Sequence, residues 1–455
     1  MELFGTAGIR GDARERVTPE LALAVGRAIG READELVVGR DGRETGPALA
    51  AAVEAGAESA GATVRRAGQV PTPALAFASR GRHGLQVTAS HNPPTDNGLK
   101  LFEDGEEYDG EGEARIEARV EAGEGPVAWD EWGDGGRVDP LPDYRRAVVE
   151  YARERGPALS DLTVVVDCGN GMGALATPQV LRALGARVVA LNANVDGHFP
   201  GRPSKPTPET LTDLRRFVAD YPAPVLGLAH DGDADRIVVV GRDGEVVHED
   251  TVLAILAEHY VRASDAADPV VVTTPNASGR IDERVAAAGG RTERVKLGAL
   301  HEGIAAARAG GGDVVFAGEP WKHVHTALGP WIDGVASAAV LSTLVAGAAS
   351  ADGAGGLLAL REPVTERPYR KVSVPCSDER KAGAMRLLES RLPAAFPEAS
   401  VETEYGLRLG FDGAWTLVRP SGTEPYVRIY AESEDVDALV ETVVDAVERA
   451  VADAE

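Results

Sequence analysis

Short runs of β-branched residues alternate with helix-forming segments through most of the 455 residues. Residues 36–38, 163–167 and 269–272 are apolar runs of strand length, and segments with helical spacing follow them. Strands that alternate with helices in this way form βαβ units around parallel or mixed sheets. The chain is too long for one hydrophobic core, so several domains are expected. The pattern therefore predicts three similar α/β domains with mixed sheets.

The final segment has a different order of elements. After Arg361-Glu362-Pro363 the sequence predicts a strand, a helix over residues 378–392, several strands between residues 404 and 431, and a closing helix from Asp435. This order is typical of an α+β domain. We therefore predict a smaller C-terminal α+β domain after the three α/β domains.

Composition excludes some classes of protein. We find no run of about 18 apolar residues, so no membrane span is expected. The first residues lack the basic and apolar regions of a signal peptide. Cys168 and Cys376 are the two cysteines, and they form neither a disulfide framework nor a zinc pattern. We expect a cytoplasmic protein.

The formal net charge of −25 makes nucleic acid and anionic membranes poor partners. Only 6 of the 47 basic residues are lysine, a composition that resembles proteins of salt-accumulating halophiles. An anionic substrate would need either a locally basic cleft or strong screening by salt.

The first stretch with chemical potential is the Ser90 loop, residues 88–97, after a predicted strand at residues 85–88. Two prolines stiffen this loop and would hold Ser90 out into a cleft. His91 beside it is a candidate base, and Lys100 is a candidate phosphate ligand. The alternative is a polar loop with a turn at Asn97-Gly98.

The second stretch is the Asp231 loop, residues 230–236, which carries Asp231, Asp233 and Asp235 between two apolar runs. Three aspartates so close together would repel one another unless a cation lies among them. Oxygen ligands favour Mg²⁺ or Ca²⁺ over zinc, and an EF-hand is excluded because its positions 6 and 12 would be Arg236 and Arg242. Mg²⁺ would suit phosphoryl transfer; the alternative is an acidic turn.

Two further loops carry phosphate or sugar ligands. The Ser421 loop, residues 419–428, combines arginines, hydroxyls and a glycine-opened turn, which together could hold a phosphate dianion. In the Glu319 loop, residues 318–323, Glu319 could accept hydrogen bonds from sugar hydroxyls, and His323 could bind phosphate or move a proton. Incidental polarity of a hairpin or loop is the alternative for both.

One motif points to a different class of enzyme. Residues 169–174 match the pattern G-x-G-x-x-A after a strand, and Asp196 lies at a plausible distance for a ribose contact. A dinucleotide-dependent oxidoreductase is therefore an open alternative, although a single match of this pattern is weak. The P-loop pattern G-x-x-x-x-G-K-[ST] does not occur.

Taken together and in order, these segments resemble the α-D-phosphohexomutase family. The chain opens with Leu3-Phe4-Gly5-Thr6-Ala7-Gly8-Ile9-Arg10-Gly11, which is similar to the opening of that family. Residues 38–43 (Val-Gly-Arg-Asp-Gly-Arg) and 70–74 (Val-Pro-Thr-Pro-Ala) are also similar, and the four loops follow in family order. The resemblance spans nearly the whole chain.

The resemblance implies four domains around a central cleft, with boundaries that we place at 1–145, 146–250, 251–362 and 363–455. They would carry, in order, the phosphoserine, metal, sugar and phosphate loops. The implied activity is that of an isomerase, an intramolecular phosphotransferase that interconverts sugar 1-phosphate and 6-phosphate. The reaction would pass through a phosphoserine and a bound sugar bisphosphate.

The resemblance also implies roles for individual residues. Ser90 would carry the phosphoryl group and, with the three aspartates, hold one Mg²⁺ per subunit. Arg10 and Lys100 are candidates for proton handling, and His323 is a further catalytic candidate. The implied substrate contacts are Arg236, Glu319, Lys322, Arg419, Ser421, Gly422, Thr423 and Arg428. A phosphosugar is the expected substrate, a sugar bisphosphate the expected activator, and the chain would be a monomer or homodimer.

One departure leaves the sugar open. The family's Glu319 loop commonly reads Gly-Glu-x-Ser-Gly-His, whereas Trp321 and Lys322 replace the Ser-Gly pair here. A hydroxyl is lost, and a bulky indole and a cation are gained. Phosphomannomutase, phosphoglucomutase and phosphoglucosamine mutase activities are all consistent with the resemblance, with phosphopentomutase as an alternative. A non-catalytic sugar-phosphate sensor would be expected to lack the serine or the aspartates, which are present.

Overall fold

The computed structural model describes residues 3–5, 8–222, 224–349, 355–422 and 424–454. Within them, four sheets follow one another along the chain. The first is mixed and has the order β1-β5-β4-β2-β3-β7, with β6 on β5. Its strands are β1 Ile9–Asp12, β2 Glu35–Arg40, β3 Thr63–Gln69, β4 His83–Val87, β5 Asp96–Glu103, β6 Glu106–Glu107 and β7 Gly135–Arg137. Its helices are α1 Pro19–Gly30, α2 Gly46–Ser59, α3 Thr72–Ala78 and α4 Gly110–Ala122.

The pair α1 and α2 shows how small residues shape this first block. Thr18 caps α1 by accepting the Leu21 N–H at 3.4 Å, and Pro19 supplies the first helical residue. A Cβ on Gly26 would lie 2.2 Å from the Val53 carbonyl oxygen. Only glycine allows this approach, so the two helices pack with their backbones in contact.

The first sheet places three candidate site residues at one end. Strand β4 runs parallel to β2, and the Ser90 loop begins where β4 ends at Val87. Strands β1 and β5 are antiparallel, with Arg10 opposite Gly98. Lys100 lies on β5 opposite Gln86. The mixed sheet thus brings Arg10 and Lys100 alongside Ser90.

The composition of residues 121–142, rich in Gly, Asp, Glu and Pro, predicts an exposed linker, but the segment is partly structured. Strand β7 lies inside it and pairs with β3 in parallel. Glycine makes this possible, because a Cβ on Gly133 would lie 1.9 Å from the Ala62 carbonyl oxygen. The glycines that indicated a linker therefore allow close approach to the sheet edge. The exposure was predicted correctly for Trp129, whose side chain is 88% exposed.

The second and third sheets have the same plan, with parallel strands and one antiparallel edge strand. Their orders are β11-β10-β8-β9 and β13-β12-β14-β15. Their strands are β8 Thr163–Asp167, β9 Arg187–Leu191, β10 Val225–Ala229, β11 Val238–Val240, β12 Pro269–Thr273, β13 Arg291–Arg294, β14 Asp313–Glu319 and β15 Lys322–Val324. The accompanying helices are α5 Leu141–Arg153, α6 Thr177–Ala183, α7 Thr212–Asp220, α8 Glu249–Arg262, α9 Gly279–Ala287, α10 Leu300–Ala309, α11 Gly334–Ala348 and α12 Leu357–Arg361.

The fourth sheet is antiparallel, in the order β16-β20-β19-β18-β17. Its elements are β16 Tyr369–Pro375, α13 Asp378–Ala395, β17 Ser400–Glu402, β18 Leu407–Phe411, β19 Ala414–Pro420, β20 Tyr426–Glu432 and α14 Val436–Asp453. This block is α+β, as predicted. Together with the three mixed sheets it confirms the predicted fold class.

The cores show how the blocks are joined. One apolar cluster runs from Val37 through the second and third blocks to Val364, whereas the fourth block has a separate core built on α13, α14 and its sheet. The first three blocks therefore pack as one body. Our domain boundaries remain a proposal, and two of them fall within α5 and α8. Across the described residues, we find no helix with the length and apolarity needed to span a bilayer.

Candidate functional site

Ser90 lies three residues beyond the end of β4, in a strained backbone conformation. Its φ is +50°, and its side chain is fully buried. Non-glycine residues adopt this conformation at an energetic cost and persist in it where surrounding contacts fix them. The Ser90 hydroxyl donates to Asp231 Oδ2 at 2.7 Å. The first block therefore presents its serine to the second.

Asp231, Asp233 and Asp235 lie in the connection between β10 and β11 and are all fully buried. One carboxylate oxygen from each lies within 4.8 Å of the others. Oδ1 of Asp233 and Oδ1 of Asp235 are buried and have no hydrogen-bond partner in the described part of the chain. Burial and repulsion from the other two carboxylates raise the pKa of Asp231 well above its ordinary value. Unpartnered, buried, oxygen-only donors fit a hard divalent cation.

Two cations flank this cluster. Lys100 Nζ donates to Asp235 Oδ2 at 3.1 Å and lies 3.9 Å from Glu107 Oε2. Burial alone would lower the pKa of Lys100, but Glu107 and Asp235 outweigh it and raise the pKa. Arg236 Nε lies 3.6 Å from Asp231 Oδ2. Lys100 is therefore held as a permanent cation, which favours charge stabilisation over proton transfer.

His91 is the neutral base nearest to the serine. Its Nδ1 lies 3.4 Å from Ser90 Oγ. Burial, followed by the charges of Arg236 and Arg10, lowers the pKa of His91 to about 3. The imidazole is thus uncharged near neutral pH and is a weak base, so its role beside the serine is that of a hydrogen-bond partner. Arg10 Nε is buried and has no hydrogen-bond partner among the residues that the structure describes, so it is a candidate to bind an anion.

The Glu319 loop meets the Asp231 loop from the third block. Lys322 Nζ lies 3.1 Å from Glu319 Oε1, and the Trp321 carbonyl accepts the Ile237 N–H at 3.1 Å. Trp321 has a φ of +76°, and its indole packs against the apolar core of the second block. The Trp321 indole, which the sequence suggested would lie beside a sugar, therefore forms a contact between the third and second blocks. This contact fixes the Glu319 loop to the Asp231 loop.

His323 is deeply buried rather than open to solvent. Its Nδ1 lies 3.0 Å from Ser337 Oγ, and its Nε2 has no hydrogen-bond partner among the described residues. Burial lowers the pKa of His323 to about 3. The neutral ring retains one free acceptor or donor nitrogen.

The Ser421 loop forms a cationic surface on the fourth sheet. Arg419 on β19 lies directly opposite Arg428 on β20, and Arg428 forms an ion pair with Glu424. A side chain built at Gly422 would meet nothing within 4 Å, so this turn is open. Ser421 is buried, and Thr423 lies outside the described residues. The arginine pair is suited to a phosphate.

The structure brings three of the four candidate loops together. Ser90, the three aspartates, Lys100 and Arg236 are linked by direct contacts, and the Glu319 loop joins them through the bridge between Arg236 and Lys322. Among the described residues, no hydrogen bond or ion pair links the Ser421 loop to this cluster. The candidate phosphate-binding residues of the fourth block are therefore not joined to this cluster by direct bonds in the described part of the chain.

The glycine turn at residues 169–174 packs against the Asp231 loop. A Cβ on Gly169 would lie 2.7 Å from Arg202 Nη2, and one on Gly171 would lie 2.5 Å from the Gly232 carbonyl oxygen. The Met172 N–H donates to that same carbonyl at 2.9 Å. Protein atoms therefore cover this turn where a pyrophosphate would bind, which argues against the dinucleotide hypothesis.

Three residues of the site were missed in the sequence. Thr72 donates to Asp233 Oδ2 at 2.6 Å, and its signal was the Pro-Thr-Pro sequence at residues 71–73. Glu107 faces Lys100 but carries no motif. Lys381 on α13 donates to the carbonyls of Ser421 and Glu424 at 2.6 and 2.7 Å, and only the scarcity of lysine could have singled it out.

Three sequence profiles of one family match this chain. Residues 1–126 match phosphoglucomutase/phosphomannomutase alpha/beta/alpha domain I, residues 142–244 match alpha/beta/alpha domain II, and residues 373–450 match the C-terminal domain. The matches follow the order of the sheets. They include the Ser90, Asp231 and Ser421 loops.

Relatives with assigned activities span the whole chain. A phosphopentomutase of Thermococcus kodakarensis is 41% identical over 468 residues, with all of both chains covered. A probable phosphoglucosamine mutase of Methanopyrus kandleri is 40% identical over 460 residues, with 98% of each chain covered. The full-length similarity thus includes enzymes named for different sugars.

Solved structures agree with the fold. A phosphoglucomutase/phosphomannomutase family protein of Burkholderia thailandensis has a TM-score of 0.85 at 26% identity, covering 99% of this chain and 98% of its own. An Aspergillus fumigatus N-acetylphosphoglucosamine mutase, solved with GlcNAc-6P and magnesium, has a TM-score of 0.61 at 16% identity, covering 99% and 96%. The chain therefore belongs to the α-D-phosphohexomutase family of phosphoglucomutases and phosphomannomutases and is a phosphosugar mutase, an isomerase.

Proposed function

We propose that Ser90 carries the phosphoryl group that this mutase exchanges with its sugar. The observation that supports this most directly is the 2.7 Å hydrogen bond between the Ser90 hydroxyl and Asp231. A serine hydroxyl is a weak nucleophile and needs a base and a neighbouring positive charge to react with phosphate. The Ser90 hydroxyl hydrogen is directed at Asp231 Oδ2, His91 Nδ1 lies 3.4 Å from Ser90 Oγ, and Lys100, Arg236 and Arg10 supply positive charge.

Asp231, Asp233, Asp235 and the Ser90 oxygen are the residues that would hold one Mg²⁺. Bound there, Mg²⁺ would neutralise the carboxylates and stabilise charge that develops on phosphoryl oxygens. The buried unpartnered oxygens support this assignment, as does the magnesium in the Aspergillus relative. Two neighbouring side chains hold these carboxylates in place: Thr72 donates a hydrogen bond to Asp233, and Lys100 donates one to Asp235.

The proposed cycle has two phosphoryl transfers in opposite directions. In the first, the bond between phosphorus and Ser90 Oγ breaks while a bond to the free sugar hydroxyl forms, and the hydroxyl proton passes to the serine side. The bound sugar bisphosphate then reorients. In the second transfer the bond between its other phosphorus and the sugar oxygen breaks while a bond to Ser90 Oγ forms, and the serine proton passes to the sugar oxygen. A sugar bisphosphate added from solution would phosphorylate Ser90 and act as the activator.

The non-reacting phosphate is proposed to bind the Ser421 loop through Arg419, Ser421, Gly422, Thr423 and Arg428. The open turn and the paired arginines support this, since a planar guanidinium binds phosphate oxygens in pairs. Glu319 and Lys322 are proposed to contact the sugar. His323 is proposed as a further catalytic residue, on the buried side of the Glu319 loop.

We propose a hexose phosphate as substrate, namely the phosphate of mannose, glucose or glucosamine. One observation favours a second candidate, a pentose phosphate. The Lys322 side chain lies where the family has glycine, and it already neutralises Glu319 at 3.1 Å. A smaller sugar would leave room for this side chain, and the Thermococcus kodakarensis relative is named a phosphopentomutase.

The test is a substrate panel with Mg²⁺ and a trace of glucose 1,6-bisphosphate. The 1-phosphates of mannose, glucose, glucosamine, N-acetylglucosamine and ribose would be compared by kcat/KM, with EDTA and Ser90→Ala as controls. We expect one sugar class to be preferred and both controls to abolish turnover. Equal activity of Ser90→Ala would refute the proposed nucleophile, and a preference for ribose 1-phosphate would select the second candidate.

A further inference from the structure

Arg43 is a fully buried arginine whose five N–H groups are all engaged. Its Nε donates to Asp41 Oδ2 at 3.0 Å. The other four N–H groups are directed at the Ser90 loop. They donate to backbone carbonyls, those of Ser90 (2.9 Å), Asn92 (2.8 Å), Pro93 (2.5 Å) and Asp96 (2.8 Å). One guanidinium thus binds four backbone carbonyl groups of this loop.

Asp41 and Arg43 form an ion pair, and this pair is also linked to the N–H group of Ser90. The Ser90 N–H donates to Thr88 Oγ1 at 3.0 Å, and the Thr88 hydroxyl donates to Asp41 Oδ2 at 2.8 Å. Asp41 Oδ1 accepts the Arg43 backbone N–H at 3.0 Å. The Asp41–Arg43 pair therefore holds both the N–H and the C=O of Ser90, one of them through Thr88.

These contacts explain how Ser90 keeps its unusual backbone conformation. A non-glycine residue at φ +50° is stable only where its surroundings determine it. The Asp231 loop packs closely against Ser90, since a Cβ on Gly232 would lie 2.6 Å from the Ser90 carbonyl oxygen. Phe199 from the second block covers the guanidinium, with its ring centre 5.2 Å from Arg43 Cζ.

We propose that Asp41 and Arg43 are positioning residues that hold Ser90 in the conformation that allows phosphoryl transfer. This proposal rests on the function proposed for Ser90. Lysine cannot replace Arg43, because an ammonium group has three donors and lacks the planar fork that spans four carbonyls. Neither Asp41 nor Arg43 would touch the sugar, so both act through the loop.

The experiment measures how fast the full-length protein is phosphorylated by labelled glucose 1,6-bisphosphate in a single turnover, together with steady-state kcat and KM. We expect Arg43→Lys to lower the phosphorylation rate and kcat by about 100-fold, the scale of a misplaced nucleophile, with KM unchanged within about threefold. Thr88→Val, which keeps its shape and loses only the hydroxyl, should lose about tenfold in the same two rates.

A matched control separates positioning from stability. Val53→Ala creates a cavity in the core of the same block at a residue that forms none of these contacts, and its loss in apparent unfolding temperature can be compared with that of Arg43→Lys. We expect Val53→Ala to keep its phosphorylation rate at equal or greater loss of Tm. If Arg43→Lys and Thr88→Val, both folded, are phosphorylated as fast as the parent, the positioning proposal is wrong. If the parent protein itself is not phosphorylated on Ser90, the proposed function fails instead.

Discussion

The hydroxyl of Ser90 lies 2.7 Å from Oδ2 of Asp231, although the two residues are 141 positions apart in the chain. This contact crosses from the first sheet to the second. It places a strained serine on the edge of a cluster of three buried carboxylates. Most of the proposed chemistry depends on this relationship.

Asp233→Asn should change how Mg²⁺ affects stability. In EDTA the variant should unfold at a temperature at least as high as that of the parent, because one of three repelling carboxylates is gone. Saturating Mg²⁺ should raise the Tm of the parent, with about 2.7 kcal/mol of stabilisation at a hundred times Kd, and should scarcely move that of the variant. Differential scanning fluorimetry measures both. An equal Mg²⁺ shift in the two proteins would contradict the metal assignment.

Stability should fall as the pH drops from 7 to 5, and His323 should contribute to this fall. Burial lowers the pKa of His323 from 6.5 to about 3 in the folded protein, so between these values the unfolded chain binds the proton that the folded one does not. Stability therefore rises with pH in this window, and one such histidine costs about 2 kcal/mol at pH 5.

His323→Gln tests this directly by thermal unfolding at both pH values. The variant should lose less Tm between pH 7 and pH 5 than the parent does. His198→Gln, which removes an exposed histidine, provides the comparison, so that the difference between the two variants reports on burial. Identical slopes for His323→Gln and the parent would show that folding does not lower the pKa of this ring, and would contradict the prediction.

Lys322→Ala should weaken sugar binding and free Glu319. The ion pair at 3.1 Å neutralises a carboxylate that we expect to accept sugar hydroxyls. We predict a rise in KM of about tenfold for the preferred sugar, equivalent to one charge-assisted hydrogen bond, with a smaller change in kcat. Arg449→Ala, which removes an exposed cation on α14, is the control. An unchanged KM across the whole sugar panel would place Lys322 outside the substrate site.

Lys381→Met should loosen the Ser421 loop without touching the serine. Lys381 holds the carbonyls of Ser421 and Glu424, so its loss should raise KM by about tenfold, while phosphorylation of Ser90 by a bisphosphate at saturation persists. The neighbouring Arg380→Met removes an exposed cation from the same helix and should leave KM unchanged. Equal effects of the two substitutions would indicate a general loss of positive charge instead.

The order of strands and helices could be predicted because local periodicity and glycine or proline punctuation determine it. Thr18 and Pro19 begin α1 as the sequence indicates. Strand β7 could not be predicted, since only its pairing with β3 turns a glycine-rich run into a strand.

The candidate site likewise has residues that local sequence predicts and residues that depend on the tertiary structure. Ser90 and the aspartates were recognisable because each loop has its own residue pattern, and the fold then brings two of these patterns together. The direction of the Trp321 side chain depends on the apolar core of a different block, which local sequence does not encode. Glu107 was missed for the same reason: its partner Lys100 is known only once β6 is placed beside β5.

Intact-mass analysis and peptide mapping after incubation with glucose 1,6-bisphosphate and Mg²⁺ would show whether the protein takes up phosphate and on which residue. We expect one phosphate per chain, on Ser90, lost again when a sugar monophosphate is added. We expect none in Ser90→Ala. Phosphate on another residue, or a Ser90→Ala protein that still exchanges phosphate with the sugar, would contradict Ser90 as the phosphoryl carrier.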